Sequence, residues 1–270
     1  MTTVDRHPTR KVSSRQNTLV KVLRRAFQHG ELVDGLCAIE GVRLIEEAIR
    51  SGLRFRALFY GDSSEQRVQK LIPQISSHTE LLALPDEVFA SAVATETPQG
   101  VAALVRWPVF SLDEILEETS SPLLIGAMGI QDPGNLGTII RSGEAFSATA
   151  IVLGAKTVSQ FNPKVIRASM GSCFRLPTIK LSAAEVQSLK RRGLRIAATS
   201  SHKGKPIDGS DLTGGLVIMV GSEGAGVSQE YMVLADEFIR VPHDEKVESL
   251  NAAVATSVIL YEAQRQRNPR

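Results

Sequence analysis

VPHDEKVESLNAAVATSVILY, residues 241–261, runs from an extended segment into a helix. Pro242 lacks a backbone donor and stops the strand before it. Ser249 and Asn251 stand where the helix begins, and either side chain can accept from the free N–H groups of a first turn. After them Ala252, Ala253, Val254, Ala255, Val258, Ile259 and Leu260 cover nearly all faces, so the spacing predicts a helix buried on every side. Ser, Leu and Asn at the mouth of such a helix are either plain caps or one wall of a site.

Working outward, EFIRV (237–241) is the strand that feeds this helix, and PLLIGAM (122–128), ATAIVLG (148–154), LRIAATS (194–200) and GLVIMVG (215–221) read as further strands. Runs this apolar suit a parallel sheet covered on both faces. Helices fit at 136–146, 163–170, 183–192 and 249–266. Upstream, RQNTLVKVLRRAF (15–27) sets Leu19, Val22, Leu23 and Ala26 on one helical face and Lys21, Arg24 and Arg25 on the other. A strand (36–41), a helix stopped by Gly52 (41–52), a strand (55–60), a helix (65–72), a strand (81–85), a helix (86–93) and a strand (99–107) follow. This alternation predicts a small α/β sandwich. Between the two parts PVFSLDEILEETSS (108–121) turns acidic, with room for a helical turn or two, and is the expected linker. The organisation is therefore a basic tail over 1–14, a first domain over 15–107, a linker over 108–121 and a second domain over 122–270.

The chain has 270 residues, 43% hydrophobic and 22% charged, with a net charge of +2. No apolar run is long enough for a membrane span, and no secretory segment opens the chain. Cys37 and Cys173 are far apart and the five histidines are scattered, which excludes a close-spaced metal site. So few cysteines give no reason to invoke an oxidising compartment, and the expected location is cytoplasmic. Residues 1–25 nevertheless carry Arg6, Arg10, Lys11, Arg15, Lys21, Arg24 and Arg25 against Asp5 alone. Such a run suits phosphates; a solvated tail and an organelle transit peptide are the competing readings.

Three loops follow strands of the second domain, where ligands of open α/β sheets gather. GIQDPGNLGTIIRSGEAF (129–146) holds Asn135 and Arg141 behind Pro133, Gly134 and Gly137. VGSEGAGVS (220–228) brackets Glu223 with Gly221, Gly224 and Gly226, a density that lets backbone wrap closely round a ligand. The third loop is the mouth with Ser249 and Asn251. GAKT (154–157) lacks the upstream glycine of a phosphate-binding loop, and Ser222 lacks the flanks of a nucleophile elbow. His202 and His243 accompany no nucleophile and read as loop residues.

In this order, DPGNLGTIIRSGEAF, VGSEGAGVS and VPHDEKVESLNAAVATSVILYEA resemble the three signature motifs of the SpoU/TrmH branch of the SPOUT RNA ribose 2′-O-methyltransferases, over residues 122–267. SRQNTLVKVLRR and AIEGVRLIEEAIRSG resemble the ribosomal-protein-like substrate-binding domain of the ribosomal RNA members. The resemblance implies a parallel-sheet α/β domain with a trefoil knot, S-adenosyl-methionine as cofactor, a homodimer, and RNA as partner, large-subunit ribosomal RNA in particular. By the same resemblance Asn135, Arg141, Glu223, Ser249 and Asn251 match the catalytic set. Thr199, Gly221, Val241 and Leu250 match cofactor contacts, and Arg15, Lys21, Arg24 and Arg25 fall where RNA is bound. Asp244, Glu245 and Lys246 stand where family members often have Gly or another small residue. Alternatives are a transfer RNA substrate, a non-catalytic RNA-binding protein of this fold, or a doubly wound dinucleotide enzyme, which lacks its glycine fingerprint.

Overall fold

The protein is seen in a computed structural model that describes residues 8–93, 95–201, 203–222 and 224–268. Glu223, His202 and the first seven residues of the basic tail, Arg6 among them, lie outside the described residues. Two compact units divide the chain: Met1–Val109 with Phe161–Phe174, and Phe110–Gln160 with Arg175–Arg270.

In the first unit β1 (Thr9–Lys11), α1 (Thr18–His29), β2 (Leu36–Glu40), α2 (Val42–Arg50), β3 (Arg54–Gly61), α3 (Glu65–Val68), β4 (Glu80–Leu84), α4 (Asp86–Ala92) and β5 (Val101–Arg106) follow one another. The sheet order is β1-β4-β3-β5-β2, with β1, β4 and β3 parallel and β5 opposed to both its neighbours. α1 begins where Asn17 Oδ1 accepts from the N–H groups of Leu19 and Val20 at 3.0 and 3.4 Å. It ends at Gly30, whose φ of 59° is the left-handed conformation that glycine adopts freely. Val20, Leu23, Ala26 and Phe27 of α1 share one core with Ala38, Phe59, Leu82 and Leu104 of the sheet. Glu40 is buried because Thr95 Oγ1 (2.7 Å) and the Gln99 N–H (2.8 Å) both donate to its carboxylate, tying the loop before β5 to the end of β2.

The second unit holds α5 (Leu112–Glu117), β6 (Leu123–Met128), α6 (Pro133–Ala145) and β7 (Ala150–Leu153). α7 (Pro163–Ser169) belongs to the first unit. The second unit continues with β8 (Thr178–Lys180), α8 (Ala183–Ser188), β9 (Arg195–Thr199), β10 (Lys205–Pro206), β11 (Leu216–Gly221), α9 (Gln229–Met232), β12 (Glu237–Arg240) and α10 (Ala252–Arg267). Its seven strands, all parallel, lie in the order β10-β12-β9-β11-β6-β7-β8. The expected α/β class with a parallel sheet holds, and the five apolar runs are five of these strands. β8 and β10 escape a reading by apolar runs because, as TIK and KP, they are edge strands of three and two residues.

Local chemistry moves several boundaries. Part of the expected tail is a strand: β1 pairs with β4, and the buried Val12 donates its N–H to Ala83 O at 2.9 Å. The helix expected over 65–72 is one turn, α3; Pro73 has no N–H to return to residue 69, and only short turns follow up to Gln74. Within 108–121, Ser111 and Glu114 form a reciprocal capping box at the start of α5, and Ile115 enters the core of the second unit. Residues 161–174, expected inside the second domain, pack in the first unit, where Phe161 and Phe174 meet Trp107 edge-on with ring centroids 5.1 and 5.6 Å away. Finally, α10 is not buried on every side. Ala252, Ala253, Thr256, Ile259, Leu260 and Ala263 face inward, whereas Val254, Val258 and Tyr261 are 51%, 39% and 58% exposed. The helix rests on α6 and the sheet by one side only.

Candidate functional site

A cavity of about 300 Å³ opens at the carboxyl ends of β9, β11 and β12. Thr199 is the last residue of β9, Gly221 the last of β11, and Val241 the first after β12, while Ser249 and Leu250 come from the approach to α10. All five line the cavity. Val220, Val227, Met232, Ala255 and Ile259 give it an apolar wall, and the hydroxyls of Thr199, Ser200, Ser201 and Ser222 a polar one. A volume and lining of this kind fit a small ligand with a flat apolar part and polar ends.

The loop after β11 is folded back on itself. Ser222 N–H donates to Gly226 O at 3.2 Å and Gly226 N–H to Ser222 O at 2.8 Å, so the two residues bridge as in a tight hairpin. Gly226 has a φ of 64°, and a Cβ added to Gly221 would lie 1.9 Å from the Gly226 carbonyl carbon. These two glycines are therefore required by the turn and by the close approach. Gly224 meets nothing within 4 Å.

Beside the cavity, the starts of α6 and α10 are linked. Asp132 caps α6, its Oδ1 accepting from the Asn135 N–H at 2.7 Å. Asn135 Oδ1 in turn accepts from Asn251 Nδ2 at 3.0 Å. Asn251 Oδ1 caps α10 by accepting from the Ala253 and Val254 N–H groups at 3.0 and 3.2 Å. Of the two candidate caps, then, Asn251 is the cap and Ser249 is an exposed residue of the cavity rim. Further along, the hydroxyls of Ser142 and Ser257 meet at 2.7 Å, and Phe146 and Tyr261 stack edge-on at 6.1 Å. Arg141 is exposed on α6. Neither it nor Asn135 nor Asn251 is among the residues lining the cavity; Asn251 stands between two that do, Leu250 and Ala252.

Ser200 and Ser201, which the sequence did not mark, also line the cavity, and so does His243, which it gave only as a loop residue. The first two follow β9, and the strand-end rule that flagged the other loops applies equally to them. His243 donates from Nδ1 to Val241 O at 2.9 Å. Thr157, within the GAKT stretch that fails as a phosphate-binding loop, braces the backbone instead. Its Oγ1 donates to Ala127 O at 2.7 Å and accepts from the Gly129 N–H at 3.0 Å, which fixes the loop leading to Asn135. In the first unit Arg15, Lys21 and Arg25 are exposed, but Arg24 is half-buried, and its Nε donates to Ser91 O at 3.3 Å. Its Nη2 is buried with no hydrogen-bond partner among the described residues.

Residues 122–261 match the SpoU rRNA Methylase family, and residues 32–103 match the MRM3-like substrate binding domain. The chain is 33% identical to the 23S rRNA (guanosine(2553)-2′-O)-methyltransferase RlmP of Bacillus subtilis over 83% of this chain and 86% of that protein. It is 30% identical to the 23S rRNA (uridine(2479)-2′-O)-methyltransferase of Streptomyces viridochromogenes over 85% and 82% of the two chains. Among solved structures, the SpoU methyltransferase AviRb from Streptomyces viridochromogenes in complex with AdoMet superimposes with a TM-score of 0.80 at 28% identity, covering 93% of this chain and 98% of that one.

Proposed function

Because the chain belongs to the SpoU rRNA Methylase family, we propose that it methylates a ribose 2′-hydroxyl of large-subunit ribosomal RNA, with S-adenosyl-methionine as the methyl donor. The observation that carries this reading is the cavity at the ends of β9, β11 and β12, which Thr199, Gly221, Val241, Ser249 and Leu250 line together. Its lining fits the cofactor's chemistry: an apolar wall for the adenine, hydroxyls for the ribose and amino-acid parts, and backbone at Gly221, Val241 and Leu250 for specific hydrogen bonds.

When bound, S-adenosyl-methionine supplies an electrophilic methyl group on a sulfonium. This chain's residues then have to align the attacking hydroxyl and deal with its proton. A guanidinium offers donors and no lone pair to take a proton, so Arg141 is a poor base. Its planar fork instead holds a substrate phosphate and stabilises the developing alkoxide, while the hydroxyl proton passes to solvent. The Asn135–Asn251 pair holds the two helix starts beside the cavity in one arrangement. Glu223 belongs to the proposed catalytic set through its place in the loop after β11. The exposed basic residues Arg15, Lys21 and Arg25 contribute phosphate contacts.

A homodimer, a trefoil knot in the C-terminal part of the sheet and a cytoplasmic location are part of the same proposal. Support for the dimer comes from the stripe Val254, Val258 and Tyr261, apolar and exposed at a spacing that lines up on one face of α10. Among the described residues no helix is long and apolar enough to cross a membrane. The two relatives are named for different nucleosides, guanosine and uridine. The decisive experiment is therefore a map of 2′-O-methyl positions in total RNA with and without the gene, beside tritiated S-adenosyl-methionine incorporation by the purified protein. A single lost ribosomal RNA position supports the proposal. Loss confined to transfer RNA, or no incorporation at all, overturns it.

A further inference from the structure

His243 is a polar side chain of the cavity to which the proposed chemistry gives no role. It is half-buried, and its Nδ1 lies 2.9 Å from Val241 O. A carbonyl oxygen has no hydrogen to give, so Nδ1 carries the proton and donates. In the tautomer with its hydrogen on Nδ1 the ring offers Nε2 as an acceptor, and among the described residues no N–H or O–H is seen to donate to it. One side-chain bond holds the ring itself, and a turn follows it in the backbone. Before it stands the bond to Val241; after it, Asp244 Oδ1 accepts from the Lys246 N–H and Asp244 O from the Val247 N–H, each at 2.9 Å, which closes a turn. Asp244, Glu245 and Lys246 thus form an exposed polar turn directly after His243.

An acceptor held in a partly desolvated wall gains most from a ligand donor. Resting on the reading of this cavity as the methyl-donor site, we infer that His243 Nε2 accepts a hydrogen bond from an N–H or O–H of the bound S-adenosyl compound, making His243 a specificity-determining residue. Such donors occur at both ends of that compound, as the base amino group and ribose hydroxyls at one and the ammonium at the other.

Three substitutions separate the functions of the two ring nitrogens. Asn reaches about as far as Nδ1 and keeps the bond to Val241; Gln reaches about as far as Nε2 and keeps an acceptor in the cavity; Met keeps neither. Titration calorimetry with S-adenosyl-homocysteine should show His243→Met and His243→Asn binding about fivefold more weakly, the loss of one hydrogen bond. His243→Gln should stay within about twofold of wild type by the same reasoning. Thermal unfolding of all four proteins checks that the variants are folded. Repeating the titration with 5′-methylthioadenosine, which lacks the amino-acid part, locates the donor: an equal loss supports a contact to the nucleoside, and a loss confined to S-adenosyl-homocysteine supports a contact to the ammonium. Unchanged affinity in His243→Met overturns the inference. So does rescue by Asn and not Gln, because the ring then acts only through the Val241 carbonyl. Wild-type protein that binds no S-adenosyl-homocysteine overturns the cofactor reading itself, a separate failure visible before any variant is made.

Discussion

Asn251 Nδ2 donates to Asn135 Oδ1 at 3.0 Å, so the residue that caps α10 also clasps the first turn of α6, 116 positions earlier in the chain. The two roles use different atoms, and substitution can part them. Asp in place of Asn251 keeps the oxygen that caps Ala253 and Val254, with its charge at a favourable helix N-terminus, but loses the donor to Asn135. Asn251→Asp should unfold within a few degrees of wild type and lose methyl transfer at least about tenfold, the effect of misplacing groups near the reacting centre. Asn251→Ala should lose activity and also about 1 kcal/mol of stability, the usual worth of a cap. Melting curves beside tritium incorporation test both statements, and full activity in Asn251→Asp would reduce the residue to a cap.

Gly221 and Gly224 form a matched pair for testing the loop after β11. A methyl group on Gly221 would run into the Gly226 backbone, and backbone cannot step aside as a flexible side chain can. Gly221→Ala should cost about 1–3 kcal/mol, as overpacking does, and abolish cofactor binding by opening the Ser222–Gly226 bridge. Gly224→Ala has open space and should change stability by no more than about 0.5 kcal/mol. Calorimetric titration and chemical denaturation of the two variants distinguish a loop that needs each glycine from one that needs only those at contact points.

The sequence was informative wherever one physical signal decided a residue's place. Five apolar runs gave five strands of the parallel sheet, since burial on both faces leaves little freedom of composition. It was uninformative where pairing came from the backbone alone: β1, β8 and β10 are short edge strands held by neighbours, and their side chains carry no period. Arg24 shows the corresponding limit for the RNA surface. Its helical spacing puts it with Lys21 and Arg25, but the end of α4 lies close enough for the Ser91 carbonyl to take its guanidinium. The burial of α10 was overstated because composition counts apolar residues without saying whether every face has a neighbour in the same chain. At the cavity, loops after strand ends were readable as a class, whereas the place of His243 in the wall shows only once the chain is folded.

That difference within α1 gives a test. Lys21→Gln and Arg25→Gln should weaken RNA binding and flatten its dependence on log salt by about one unit per lost phosphate contact, with stability unchanged. Arg24→Gln should leave the salt slope nearly alone and change stability by no more than about 1 kcal/mol, since the lost bond to Ser91 O is offset by removal of the buried, unpartnered Nη2. Filter binding across a salt series, paired with melting curves, reads both quantities. Equal slopes for all three would return Arg24 to the phosphate-binding set.

The exposed stripe on α10 predicts an assembly that one charge should break. Val258 stands between Val254 and Tyr261 at 39% exposure, and a carboxylate there would be buried without a partner once a second copy covered the face. Val258→Glu should convert a dimer to a monomer in light scattering without a large loss of monomer stability, because the side chain already reaches solvent. A wild-type protein that is monomeric at micromolar concentration would remove the dimer from the proposed function.

Acid stability should report on the far end of the same helix. Arg265 donates to Glu262 from Nε (2.8 Å) and Nη2 (2.7 Å), and Gln266 donates from Nε2 at 2.8 Å. These bonds, those from Arg265 first, hold the Glu262 carboxyl at about 2, against about 4.3 for a free glutamate. Gln266 is in turn tied to Ser210 O and the Leu212 N–H, so the carboxylate helps to seat the end of α10 on the loop before β11. A depressed carboxylate pKa means the folded state binds the proton less readily than the unfolded state. The stabilisation is therefore complete above about pH 4.3 and fades as the pH falls towards 2. Because Arg265 is 59% exposed, solvent and salt screen part of the effect. Glu262→Gln should be less stable than wild type at neutral pH, and the gap should close between about pH 4.3 and 2 as the wild-type group takes up its proton. Urea unfolding at a series of pH values measures that gap. A difference that stayed constant across the window would assign the contribution of Glu262 to packing rather than to its charge.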